Sequence, residues 1–212
     1  MNSKLQSHQV SNKIVDRANI YKLFADCFKY PQDVMQETLQ LLHSTLNNYD
    51  DIFVNGAKKL VDRFKVTSLQ KLQIEYSRLF VGPFQLGAPP YSSVYLDKQG
   101  LVMGESTQQA IEYYVNTGLD PAHEIHEPPD HIRIELEFMY YLLFQKVIEE
   151  KDDSLDTYYS FMNEHLLLWV FDFTKRIKDN TEKTFFIELA DLLDLFLFKE
   201  KEILIQTKLN SS

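Results

Sequence analysis

The chain has 212 residues, 44% of them hydrophobic and 13% aromatic, with a formal net charge of −9 and a pI near 5.1. That composition describes a globular protein with a sizeable core and excludes a disordered chain. The acidic balance argues against a nucleic-acid partner, which needs clustered Lys and Arg, and favours cationic partners such as basic peptides.

In chain order, Ile14, Ala18, Tyr21, Ala25 and Phe28 recur at helical spacing and predict a helix over 14–29. Helices are also expected over 33–47, 51–65 and 68–81, the last opening at Ser68 as N-cap. Five of the six glycines and six of the seven prolines fall between 82 and 129, so that stretch reads as irregular. Within it only SSVYLDKQG, residues 92–100, has strand character, and one short segment makes no sheet. Over 130–150, one stripe (Ile132, Leu136, Met139, Leu143, Val147) and a second (Ile134, Phe138, Tyr141, Ile148) predict a helix buried on more than one side. Segments 154–178 and 181–208 read as long helices. The expected fold is an all-α, single-domain bundle over 1–212: helical 14–81, loop-rich 82–129, helical 130–208.

The N-terminus carries no apolar run of signal-peptide length. The densest apolar stretch, 187–198, is broken by Glu188, Asp191 and Asp194, which read as a solvated face, so no integral membrane span is expected. Cys27 is the only cysteine, which precludes an intrachain disulfide, and beside Phe28 it reads as a buried thiol. A cytoplasmic location follows as the expectation.

Chemistry is densest in HEIHEPPDH, residues 123–131. His123, His126 and His131, with Glu124 or Glu127, match zinc ligands by type, and a metal-dependent hydrolase built on them is the enzymatic alternative. The spacing opposes it: HExH is not the HExxH that sets two imidazoles on one helical face, so no metal is expected. Neither GxSxG nor GxxxxGK[ST] occurs, and no cofactor or nucleotide motif is found. Trp169, Phe171 and Phe173 read as core.

At the end of this stretch, Asp130 follows Pro129 and suits an N-cap, its carboxylate accepting first-turn N–H groups. His131 lies one turn from Glu135, close enough for the side chains to meet. Glu124, Glu127, Asp130, Glu135 and Glu137 against Arg133 alone predict an anionic patch. The other half of a peptide site would be YSRLFVGPFQLGAPPYSSVYLD, residues 76–97, whose Phe84, Tyr91 and Tyr95 could equally pack as a structural linker. A helical adaptor without any peptide ligand is the remaining alternative.

YSRLFVGPFQLGAPPYSSVYLD, then GEST at 104–107, then EPPDHIRIELEFMYYL from 127, resemble the TorD/DmsD family of cytoplasmic chaperones for twin-arginine-exported molybdoenzymes, with the nitrate reductase chaperone NarJ a more distant relative. The resemblance is strong over about 70–145. It implies an all-helical protein, not an enzyme, that binds the twin-arginine signal peptide and precursor of a molybdopterin oxidoreductase of the DMSO/TMAO reductase type. Such a protein assists cofactor loading and prevents premature export. It places peptide contacts at Leu79, Phe80, Pro90, Tyr91, Glu127, Asp130 and His131. Gly82, Pro83, Pro89, Ser93, Tyr95 and Pro128 would shape the surrounding motif. Some members carry Trp where this chain has Tyr91. The resemblance also allows a homodimer formed by domain swapping, and gives His123 and His126 no role.

Overall fold

In a computed structural model, described here for residues 2–82, 85–98, 100, 102–120, 127–148, 153–182 and 184–210, the chain is a helical bundle without strands among those residues. For 2–12, 208 and 210 only the helical backbone is described. The first helix, α1 (Asn2–Cys27), runs longer than its apolar repeat, but that repeat buries it: Ala18, Tyr21, Ala25 and Phe28 face the core. It packs on α2 (Met35–Tyr49) and on α7 (Ile132–Ile148). After α2, Asp50 accepts the Ile52 N–H at 3.1 Å and starts a 3₁₀ turn, Asp51–Phe53, that leads into α3 (Val54–Val66).

Helix α4 (Leu69–Tyr76) opens as expected, with Ser68 Oγ accepting the Lys71 N–H at 3.4 Å. It ends through a π turn, Ser77–Val81, and Gly82 follows at φ 101°, a conformation that L side chains rarely adopt. The chain then doubles back, with Ala88 N–H donating to the Leu79 carbonyl at 3.0 Å. Helices α8 (Asp153–Phe161) and α9 (Leu167–Asn180) are joined by a second π turn, Met162–Leu166. The last helix, α10 (Thr184–Asn210), covers α9 and α3.

Two expectations about the middle of the chain are corrected. SSVYLDKQG is not extended: Ser92–Leu96 forms a short helix, α5. The stretch 82–129 also holds α6 (Glu105–Asn116), so it is less irregular than its Gly and Pro content suggested. GEST begins α6 for a steric reason. Asp97 accepts the Ser106 N–H at 3.1 Å, and a Cβ on Gly104 would lie 1.9 Å from the Asp97 carboxylate. Asp97 thus satisfies a helix start that its own segment does not contain.

The core is aromatic where the halves of the chain meet. Phe80 lies between Phe28 (6.2 Å between ring centroids), Phe173 (6.0 Å) and Phe186 (5.8 Å), tying α1, α9 and α10 to the turn after α4. Trp169 and Phe173 are fully buried as expected, and burial pushes the Cys27 thiol well above its ordinary pKa. The acidic face of α10 is only partly solvated: Asp194 is half-buried, accepting from Thr174 at 2.7 Å and Lys178 at 2.8 Å. Among the described residues no helix is long and apolar enough to cross a membrane.

Candidate functional site

Residues 90–91 and 130–131 pair as an isolated antiparallel bridge, Tyr91 opposite His131. Ser92 N–H donates to the Asp130 carbonyl (3.0 Å) and Ile132 N–H to the Pro90 carbonyl (2.8 Å). This clasp brings the 76–97 and 127–142 motifs into contact at the entrance to α7. Proline suits position 90 because only its carbonyl is used. Tyr95 donates to the Pro89 carbonyl (2.9 Å), Tyr114 to that of Pro129 (2.8 Å), and Pro128 accepts the His131 N–H (3.0 Å).

Asp130 does not cap α7, contrary to the expectation. Its carboxylate is fully buried and turns the other way, accepting Ser93 N–H at 3.1 Å and Ser93 Oγ at 2.5 Å. It thereby holds the first turn of α5. His131 takes the cap position instead: its Nδ1 accepts the Arg133 N–H at 3.0 Å. Burial lowers the His131 pKa to about 4, so the imidazole is neutral with the proton on Nε2. The Glu127 carboxylate, 3.6 Å from Nδ1, is therefore a neighbour rather than an ion-pair partner. The His131 ring meets Tyr91 edge to face at 5.3 Å.

Nor does Glu135 meet His131. It is fully buried on another face of α7, where it receives Trp169 Nε1–H (2.9 Å) and His165 Nε2 (2.8 Å). Burial works against a charged His165, yet the Glu135 carboxylate prevails and raises its pKa. The anionic patch is corrected accordingly. Asp130 and Glu135 are interior, and Glu124 lies outside the described residues. Glu127 and Glu137 are matched by Arg133, at 2.9 Å and 3.4 Å.

Leu79 and Phe80 are 0% and 4% exposed and belong to the core. They reach the surface through Tyr76, which packs on Phe80 (5.0 Å) and on the half-exposed Tyr30 (5.5 Å). Tyr76 is also within electrostatic reach of Glu127, Arg133 and Tyr91. Beyond Tyr30 opens a groove of about 410 Å³ lined by Gln70, Gln73, Ile74, Ser77, Arg78, Gly82 and Gln85. Ile74 on its wall is 62% exposed. The buried Tyr76 thus links the Tyr91–Glu127–Arg133 group electrostatically to Tyr30, which with Ile74 supplies the apolar side chains of the groove. Pro83, Phe84, His123 and His126 lie outside the described residues. Among those described, no three His, Cys, Asp or Glu side chains are placed to hold a metal.

Sequence reading missed two interior networks. One is Glu135–His165–Trp169. In the other, Arg17 binds Glu200 at 2.8 Å with both side chains buried. Tyr158 and Tyr49 also donate to Glu200, and Tyr21 bonds Tyr158 at 2.9 Å. The partners are 30 to 183 residues apart, so no local pattern announces them; unexplained Glu and Arg on otherwise apolar helix faces were the one available signal.

With this geometry in place, comparison with known proteins identifies the fold and its class. A crystal structure described as that of a candidate redox enzyme maturation protein from Archaeoglobus fulgidus superposes with a TM-score of 0.54. It covers 85% of this chain and 93% of its own at 24% identity, which speaks to the fold. TorD chaperone proteins match at 29% identity over 72% of both chains in Vibrio vulnificus, and at 31% over 60% of this chain and 61% of the relative in Aliivibrio fischeri. A Tat proofreading chaperone DmsD of Haemophilus influenzae is 30% identical over 65% of this chain and 64% of its own. Residues 31–175 match the model of the nitrate reductase delta subunit family. The chain belongs to that family, beside the TorD and DmsD chaperones, and is a maturation chaperone rather than an enzyme.

Proposed function

We propose that the chain, acting as one domain over 1–212, is a cytoplasmic chaperone that binds the twin-arginine signal peptide of a molybdoenzyme precursor of the DMSO/TMAO reductase type. Bound there, it assists cofactor loading and prevents premature export. The observation that carries this reading is the clasp at Tyr91 and His131. It joins the sequence motifs beside a partly exposed Tyr–Glu–Arg surface, which Tyr76 links to a groove bordered by Tyr30 and Ile74.

The roles of the expected peptide-binding residues divide. Tyr91 and Glu127 are accessible and contact the leader directly. Leu79, Phe80, Pro90, Asp130 and His131 are buried and act by holding the surface in shape. Magnitudes favour apolar contacts as the source of affinity. An exposed ion pair contributes roughly 0.2–1 kcal/mol, whereas micromolar binding requires about 8 kcal/mol. Burying a leader Leu or Phe supplies roughly 1.5–3 kcal/mol each. Tyr30, Ile74 and the groove they border offer that apolar area.

Affinity capture from the native host, with the bound proteins identified by mass spectrometry, tests the proposal. A molybdopterin oxidoreductase precursor should be recovered with its leader intact, and deletion of the leader should abolish capture. Recovery that is indifferent to the leader would leave a helical adaptor as the better description.

A further inference from the structure

We propose that Glu127 and Glu137 form a guanidinium-binding site that the free protein fills with its own Arg133, and that an arginine of the bound peptide takes Arg133's place. The inference rests on the leader-binding reading above and adds to it a residue that sets the peptide's cation preference.

Arg133 stands in the first turn of α7, with Glu137 one turn further on and Glu127 approaching from the preceding turn. Its Nε donates to Glu127 Oε2 at 2.9 Å. Its NH1 is shared between the two Glu137 oxygens at 3.4 and 3.5 Å, distances at the limit of a hydrogen bond. The guanidinium is thus well bound on one side and loosely on the other. The acceptors are more accessible than the donor: side-chain exposure is 41% for Glu127 and 28% for Glu137, against 17% for Arg133. A cation arriving from solvent meets the carboxylates before it meets Arg133.

The surrounding charges explain why the exchange depends on shape. Glu137 also receives Lys22 at 2.7 Å; Lys22 reaches Asp26 at 3.2 Å, which holds Lys29 at 2.6 Å. Among the described residues, three carboxylates here face three cations and a neutral imidazole, so little net field draws a peptide in. An arginine gains only what it takes over from Arg133, namely two carboxylates spaced for a planar fork. A lysine offers a point charge without that fork. The half-buried Tyr91 and the buried Tyr76 stand within electrostatic reach of Glu127.

The test removes the competitor. Arg133→Met keeps much of the aliphatic stem and deletes the guanidinium. Calorimetric titration with a twin-arginine leader peptide should show Arg133→Met binding about 5-fold tighter than the parent. A peptide with both arginines changed to Gln should bind the two proteins equally. Equal or weaker binding of the arginine peptide by Arg133→Met, at unchanged melting temperature, overturns the site. If Arg133→Met is poorly folded, Arg133→Lys replaces it, with a smaller gain expected and no gain overturning the proposal. Arg-Arg amide separates this site from the wider reading. Its addition to Arg133→Met should shift the carboxylate NMR signals of Glu127 and Glu137, even if no leader binds the parent. Unmoved signals refute the site alone, whereas a leader that fails to bind the parent while the signals move refutes the leader-binding reading alone.

Discussion

Asp130 is where folding and binding roles separate most cleanly. It was expected at the surface as a cap and a leader contact, but it is fully buried and serves α5 through two hydrogen bonds to Ser93. Asp130→Ala orphans the Ser93 N–H, at about 1–3 kcal/mol, and removes a hydroxyl–carboxylate bond worth roughly 1.5–3 kcal/mol. Asp130 Oδ1 has no partner among the described residues, so deleting the carboxylate relieves some desolvation cost and offsets part of that loss. The net expectation is about 3 kcal/mol of destabilisation, or a fall in melting temperature of roughly 6–12 °C for a chain of this size. Ser93→Ala keeps the backbone bond and loses only the hydroxyl bond, so it should cost less, about 1.5–2 kcal/mol. Trp169, the sole tryptophan and fully buried, reports both transitions by fluorescence during urea or thermal unfolding. An Asp130→Ala melting temperature within about 2 °C of the parent, less than 1 kcal/mol for a chain of this size, would refute the reasoning and return Asp130 to the surface.

Other consequences follow from the interior networks. Arg17→Met strands the Glu200 carboxylate, which among the described residues then keeps tyrosine hydroxyls as its hydrogen-bond partners. It should cost about 3 kcal/mol, and the apolar double replacement Arg17→Met with Glu200→Leu should recover most of that in urea unfolding. His131 and His165, both buried, should shape the pH–stability profile in opposite ways. His131 titrates at about 4 in the folded chain and near 6.5 unfolded. The unfolded state therefore binds the extra proton between those values, and up to about 3 kcal/mol is lost as pH falls from about 6.5 to 4. His165, whose pKa is raised, contributes its stability in full below about 6.5 and loses it as pH climbs through its folded value. Urea midpoints across that range should show a shallower acid limb for His131→Asn and a flatter alkaline limb for His165→Gln; an unchanged limb in either variant contradicts its assignment.

What was legible in the sequence was local. The α1 stripe, the Ser68 cap and the two apolar stripes of α7 depend on side chains within a turn or two of each other, so spacing alone placed them. The errors came where a distant residue decides. Ser92–Leu96 has the β-branched and aromatic look of a strand, but Asp130, 37 residues away, supplies the acceptor for its first turn. Cap grammar pointed to Asp130 for α7, yet the clasp at Pro90 fixes that backbone, and the following histidine reaches Arg133 N–H instead. Glu135 lies one turn from His131, but the pocket between Trp169 and His165 holds its carboxylate. Acidic residues counted along the chain suggested an anionic surface, and folding neutralised or buried those that are described. Of the residues named by resemblance, Pro90, Tyr91, Asp130 and His131 meet at the clasp with Glu127 beside His131, whereas Leu79 and Phe80 lie in the core.

The central claim is that this surface binds a twin-arginine leader chiefly through apolar contact. It is tested most directly by calorimetric titration of the purified protein with a leader peptide at several temperatures. The account predicts one site, a Kd of about micromolar order and a negative heat-capacity change, the signature of apolar burial. It also predicts a loss of about 10-fold or more when the leader's Leu residues become Ser, exceeding the loss when its arginines become Lys. Leu→Ser leaders that bind as the parent does, or no binding up to about millimolar peptide, equivalent to less than roughly 4 kcal/mol, would contradict it.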